Sequence, residues 1–328
     1  MLKAVGEREL AWLQRFGEPR LPEESFYREL YNYRKVDPKA QIKNLKDYLS
    51  LVSCLVPDGK KLNWPTLRHP DLSPNNIFVS KSGDITEVID WQHCVSLPLF
   101  LQAKMPHHFQ NYGDEESENF QPPKRPDNLE TMTGDEKERE IEVYRRRQVH
   151  FFYLGFSSRN NSLLFDAMSS SGIILRNKIY ENASRPWEGD SISLKANLIQ
   201  CAAQWADISS KDSPHCIKCP LNYSLSEIDQ CLQLDAKQRA ADISSQRLRD
   251  LVGVNIDGWV PIEEYDDAVL RAATVKSQML AAAETDRERR AVEENWPFGD
   301  HNRRGEAQAS LFSAKPAAAV SRMGTANL

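Results

Sequence analysis

His69-Pro70-Asp71-Leu72-Ser73-Pro74-Asn75-Asn76 decides how this chain is read, together with Ile77-Phe78-Val79-Ser80, Lys81-Ser82-Gly83-Asp84, Ile85-Thr86-Glu87-Val88-Ile89 and Asp90-Trp91 that follow it. The two apolar runs are β-prone, and the Ser-Gly-Asp chemistry between them favours a tight turn. A hairpin there brings Asn76 and Asp90 back to one end, beside Asp71. An acid, an amide and a second acid then converge. His69 is placed to brace the loop rather than to react.

Such a set suits phosphoryl transfer, which asks little covalent chemistry of a protein. It needs a carboxylate to orient and deprotonate the attacking hydroxyl, and oxygen ligands to hold magnesium on the phosphates. Asp71 suits the first role, Asn76 and Asp90 the second. The spacing follows the pattern H-x-D-x-x-x-x-N, and Asp90 stands where the metal-binding Asp of D-F-G stands. The stretch from Leu67 to Val79, with Ile89-Asp90-Trp91-Gln92 and Pro98-Leu99-Phe100-Leu101-Gln102, resembles the aminoglycoside phosphotransferase family. More narrowly, it resembles the fungal branch related to the altered inheritance of mitochondria protein 9. Asp257-Gly258-Trp259-Val260-Pro261 and Asn295-Trp296-Pro297-Phe298 resemble that branch too, so the likeness covers most of residues 7–300. It implies a kinase-like fold, ATP and magnesium as cofactors, and transfer of the γ-phosphate to a hydroxyl of an unidentified small molecule or protein. It also implies a mitochondrial location. Ser73 stands where bacterial relatives commonly carry His, outside the three chemical roles.

The amino end departs from the kinase pattern. A Gly-rich strand-loop-strand and a strand-borne Lys precede the catalytic loop in such enzymes. The 68 residues before His69 hold only Gly6, Gly17 and Gly59, with no G-x-G-x-x-G and no alternating pattern around a Lys. Glu7 to Phe16 reads as a helix instead. Ile42, Leu45, Leu49, Val52 and Val56 recur at spacings of three and four, the core-facing stripe of one long helix. The chain is therefore expected to be a kinase-like carboxyl lobe over residues 1–300 without its nucleotide lid. The surface such a lid would cover should expose Phe78, Trp91, Val95 and Leu99 and could receive a protein partner.

Composition fits a globular domain, with 328 residues and 40% hydrophobic content. A net charge of −5 argues against nucleic-acid binding. Arg145-Arg146-Arg147, among Tyr144, Phe151 and Phe152, suits the solvated face of an amphipathic helix. No apolar run reaches transmembrane length, and the first nine residues carry acids and lack the Arg- and Ser-rich character of a transit peptide.

Six cysteines without a secretory signal suggest a reducing compartment. Cys216-Ile217-Lys218-Cys219 lacks both a second ligand pair for zinc and a βαβ context for redox work, and is read as an incidental surface pair. The run from Gly113 to Gly134 reads as an exposed acidic loop, with Asp114, Glu115, Glu116 and Glu118 solvated rather than receiving a cationic substrate. Helices are expected over 136–157 and over 161–208 with a break at Pro186. Ser224 and Glu227 form a capping box opening a further helix that Gly253 ends, and a last long helix runs from Pro261 to Trp296. Residues 301–328 are small and polar and read as a disordered tail. The expected fold class is α+β, mostly α, with one small hairpin carrying the catalytic loop.

Overall fold

A computed structural model of the chain describes residues 1–112, 114–209, 216–254 and 258–298; the tail expected over 301–328 lies outside the described residues. The chain divides into two compact units, one of Met1–Arg20 and Lys35–Asp235, the other of Leu21–Arg34 and the chain from Ala236 onward. The architecture is α+β and mostly helical, as the sequence suggests.

In the first unit, α1 (Leu2–Phe16) packs on α2 (Lys39–Leu51). Gly6 permits the approach, since a Cβ there would sit 2.7 Å from the Tyr48 ring. Tyr48 is itself fully buried and donates its hydroxyl to the Leu2 carbonyl at 2.8 Å. The expected long helix ends early. Past Leu51 the chain tightens into a 3-10 turn over Val52–Leu55, which rotates the buried stripe onto Leu45, Tyr48, Leu51, Val52 and Leu55. Val56 is exposed as a result.

The hairpin forms as expected from β2 (Ile77–Val79) and β3 (Ile85–Val88). A second ribbon was not anticipated: β1 (Pro65–Leu67) pairs antiparallel with β4 (Ser96–Pro98), so two two-stranded sheets are present among the described residues. Three-residue strands are too short to show a period of two. The short helix α3 (Leu99–Gln102) follows at once and is wholly buried, with Leu99 only 3% exposed. The expectation that Leu99 would face solvent is thereby corrected, whereas Phe78, Trp91 and Val95 are indeed exposed.

Next come α4 (Glu115–Glu118), α5 (Gly134–Asn160), α6 (Ser162–Ser169), α7 (Ile173–Ser184), α8 (Ile192–Ala203) and α9 (Trp205–Ile208). The stretch expected to break only near Pro186 breaks also at Ser170–Gly172 and at Gln204. Gly172 has φ +71°, and a Cβ there would meet Ile208 at 2.9 Å. Between α7 and α9, Arg176 is buried and donates to three carbonyls, of Leu55 (3.0 Å), Ser171 (3.2 Å) and Ile208 (2.5 Å). Burial pushes its pKa down. The guanidinium satisfies chain ends that helix geometry leaves without partners.

In the acidic run Glu115 and Glu118 are exposed as expected, whereas Asp114 and Glu116 are half-buried against α5. Asp114 caps α4 through the Ser117 N–H (3.0 Å) and grips the Arg147 guanidinium of α5 at 2.7 and 3.0 Å; Glu116 adds a 2.8 Å contact to the same Arg. Burial alone would raise the Asp114 pKa, but the Arg147 and Ser117 donors together hold it below the usual carboxylate range. Arg145 and Arg146 both pair with Glu142 on their own helix.

Cys216 is buried and bonded to Cys54, which corrects both the reading of C-x-x-C as a surface pair and the expectation of uniformly reduced cysteines. Sequence spacing could not reveal this link, because its partners are separated by 162 positions. Cys94, Cys201, Cys219 and Cys231 are free thiols.

The helix α10 (Leu225–Val252) opens on the expected reciprocal Ser224–Glu227 capping bonds and ends at Gly253, φ +79°. In the second unit Tyr27 donates to Asp242 at 2.6 Å. The expected last helix is two: α11 (Tyr265–Ala282) and α12 (Asp286–Asn295). A capping box of Thr285 and Glu288 starts the second. Thr285 and Glu288 carry the T-x-x-E spacing of such a box in the sequence itself.

Two outcomes test this packing. Reduction of Cys54–Cys216 should cost about 2–4 kcal/mol in urea titrations, since the link closes a long loop. No change on reduction would show that the bridge is absent in solution. Asp114→Asn should cost about 1–2 kcal/mol at neutral pH. A depressed folded-state pKa stabilises above the unfolded value of about 3.9 and ceases to do so as pH falls through the folded one. The difference between variant and native chain should therefore shrink in acid, and a pH-independent difference would contradict the pairing.

Candidate functional site

The site is built on the β2–β3 hairpin. Its turn is closed by the Ser80 N–H on the Asp84 carbonyl (2.8 Å), with Gly83 at φ +88° and the Ser82 hydroxyl on Asp84 (2.7 Å). At the open end the Ile89 N–H donates to the Asn76 carbonyl at 2.9 Å. That bond sets Asp90 beside Asn76. The register shifts between Phe78 and Val79, a bulge that adds twist to a short ribbon.

Asn76 is buried and holds the preceding loop. Its Nδ2 donates to the Asp71 carbonyl at 2.8 Å and lies 3.4 Å from the Asp71 carboxylate. With Nδ2 committed, Oδ1 is the atom left for a cation. Ser73 is buried, and its carbonyl accepts from the Asn76 N–H at 3.1 Å.

His69 braces the loop from the other side. The Asp71 N–H donates to Nδ1 (3.2 Å), so Nε2 carries the proton and donates to the Ile89 carbonyl at 2.7 Å. The Trp91 ring stands edge-on to the imidazole at 4.8 Å, while its indole N–H donates to the Val88 carbonyl at 2.8 Å. Asp71 and Asp90 are exposed. Hydrogen bonds thus join His69, Asp71 and Asn76, and the Ile89 backbone that bonds Asn76 and His69 is followed directly by Asp90.

Asp90 has φ +63°, a left-handed conformation that costs most residues about 1–2 kcal/mol and that Asp tolerates better. Together Asn76 and Asp90 offer hard oxygen donors of the kind magnesium takes, with phosphate and water oxygens completing the set. Among the described residues no group of three His, Cys, Asp or Glu forms a self-sufficient metal site.

Sequence reasoning missed Arg68. Its guanidinium donates to the carbonyls of Gln102 (2.5 Å) and Lys104 (2.6 Å) and to the Tyr153 hydroxyl (2.8 Å), while its own carbonyl accepts from the Cys94 thiol at 3.2 Å. It ties the residue before His69 to α3 and α5. No local pattern announces a contact across 85 positions.

The chain is 25% identical over 300 residues to a subtelomeric hrmA-associated cluster protein of Aspergillus fumigatus, covering 90% of this chain and 57% of that protein. It is 24% identical over 238 residues to the altered inheritance of mitochondria protein 9 of Saccharomyces cerevisiae, covering 71% of this chain and 35% of that one. The Kluyveromyces lactis protein of the same name is 22% identical over 232 residues, 71% of this chain and 36% of its own length. The chain thus spans little more than half the length of the first of these relatives and about a third of the others. No family model matches the chain. No solved structure matches it either.

The backbone at Asp90 offers a direct check. Asp90→Gly should leave thermal stability unchanged or slightly raised, whereas Asp90→Ala should cost about 1 kcal/mol, because only Gly adopts this φ freely. Equal stability of the two variants would remove the strain from the account.

Proposed function

We propose that this chain carries the catalytic-loop part of a kinase-like phosphotransferase that moves the γ-phosphate of ATP to a hydroxyl of a small molecule or protein. What supports the reading is the grouping of Asp71, Asn76 and Asp90 through the Asn76–Asp71 contact and the Ile89–Asn76 bond. Asp71 orients the acceptor hydroxyl and takes its proton. His69 holds the loop, and Asn76 and Asp90 would hold magnesium. When bound, the metal neutralises charge on the phosphates. The kinase-like lobe and the aminoglycoside phosphotransferase assignment belong to this proposal. So does a mitochondrial location, which the names of the yeast relatives support.

A second reading, a non-catalytic binding module, is favoured by one observation. Phe78, Val79, Ile85, Trp91 and Val95 stand exposed around the hairpin, a grouping typical of an interaction surface.

Calorimetry with ATP and magnesium separates the two. The first reading expects magnesium-dependent nucleotide binding that Asp90→Ala abolishes, and phosphate transfer far below about 1 per second that Asp71→Ala removes. Absence of magnesium-dependent binding in the native chain would leave the binding module as the function.

A further inference from the structure

One cavity, of about 810 Å³ and open to solvent, lies against the strand that leads into the catalytic loop. Leu67 and Arg68 of that segment line it together with one face of α5. Only His69 and Pro70 lie between Arg68 and Asp71, so their Cα atoms lie no more than about 11 Å apart. The size matches that of sites for drug-sized ligands.

Its wall is aromatic on one side. Phe152 and Phe156, one helical turn apart, stack with centroids 6.1 Å apart, and Phe109 lies 5.1 Å from Tyr153. Phe156 is 60% exposed, a large apolar surface left in water. The charges point to the ligand's sign. No Asp or Glu lines the cavity. Arg145 at its edge is already paired with Glu142. Arg68 is different: its partners are two carbonyls and a hydroxyl, and no carboxylate among the described residues pairs with it. Tyr153 accepts from Arg68 and so keeps its own O–H to donate. A fixed guanidinium and a phenolic proton converge beside stacked rings.

We propose that this cavity binds a small aromatic molecule bearing a carboxylate or similar anionic group, with its rings on Phe152 and Phe156 and its anion toward Arg68 and Tyr153. As an identification of the phosphate acceptor, this rests on the function proposed above. In that case an oxygen of the ligand's own hydroxyl forms the new P–O bond, the bond from the γ-phosphorus to the bridging oxygen of ATP breaks to release ADP, and the hydroxyl proton passes to Asp71.

Fluorescence titration of the full chain with 6-hydroxy-2-naphthoate, 6-hydroxy-2-naphthylmethanol and 6-hydroxy-2-naphthylmethylamine tests the site without nucleotide. The acid should bind about tenfold or more tightly than the amine. Phe156→Ala, at an exposed position that leaves the fold intact, should weaken all three by about threefold or more. Tyr153→Phe should weaken the acid and spare the alcohol. An amine that binds as well as the acid, or binding of the acid that neither variant changes, would overturn the proposal. Variant-sensitive binding of the acid without Asp71-dependent phosphorylation would leave this site standing and remove the phosphotransferase reading alone.

Discussion

A single backbone hydrogen bond, from the Ile89 N–H to the Asn76 carbonyl, closes the open end of the hairpin and determines what stands next to what. Without it Asn76 and Asp90 have no common position. With it, the Ile89 carbonyl is presented to His69, and the imidazole in turn receives the Asp71 N–H. The loop is held by neutral hydrogen bonds, while both carboxylates remain exposed to a ligand.

The support beneath the hairpin is of a different kind. Arg68 and Arg176 each use a guanidinium as a multi-point tie to backbone carbonyls, one at the entry to the loop and one deep between helices. A lysine would offer a point charge where a planar fork is required. Cys54–Cys216 adds a covalent tie in the same region of the first unit as Arg176, whose Nε bonds the carbonyl of Leu55, the residue after Cys54. Around the hairpin, short strands and exposed apolar residues offer little packing of their own. The site's geometry therefore depends on these ties more than on a local core.

The fraction of this molecule legible from its sequence divides along the range of the forces involved. The hairpin, its Ser-Gly-Asp turn, the Ser224–Glu227 cap, the stop at Gly253 and the grouping of His69, Asp71, Asn76 and Asp90 all rest on interactions within a few to about twenty residues. Residue type and spacing suffice for such features. Asp114 left solvent because a distant residue, Arg147, lies beside it in space, whereas the 3-10 turn that exposes Val56 and the Thr285–Glu288 cap that divides the last helix are local features.

The sequence by itself therefore determined the helical character, the local hairpin and the identities of the residues that converge at its end, because each follows from propensity, turn chemistry and short spacing. Tertiary structure alone decided the ribbon of β1 with β4, the bond between Cys54 and Cys216, and the capture of Arg68 by α3 and α5. The physical reason is that long-range contacts carry no local signature. A cysteine, an arginine or a three-residue strand reads the same in sequence whether or not the fold brings it a partner.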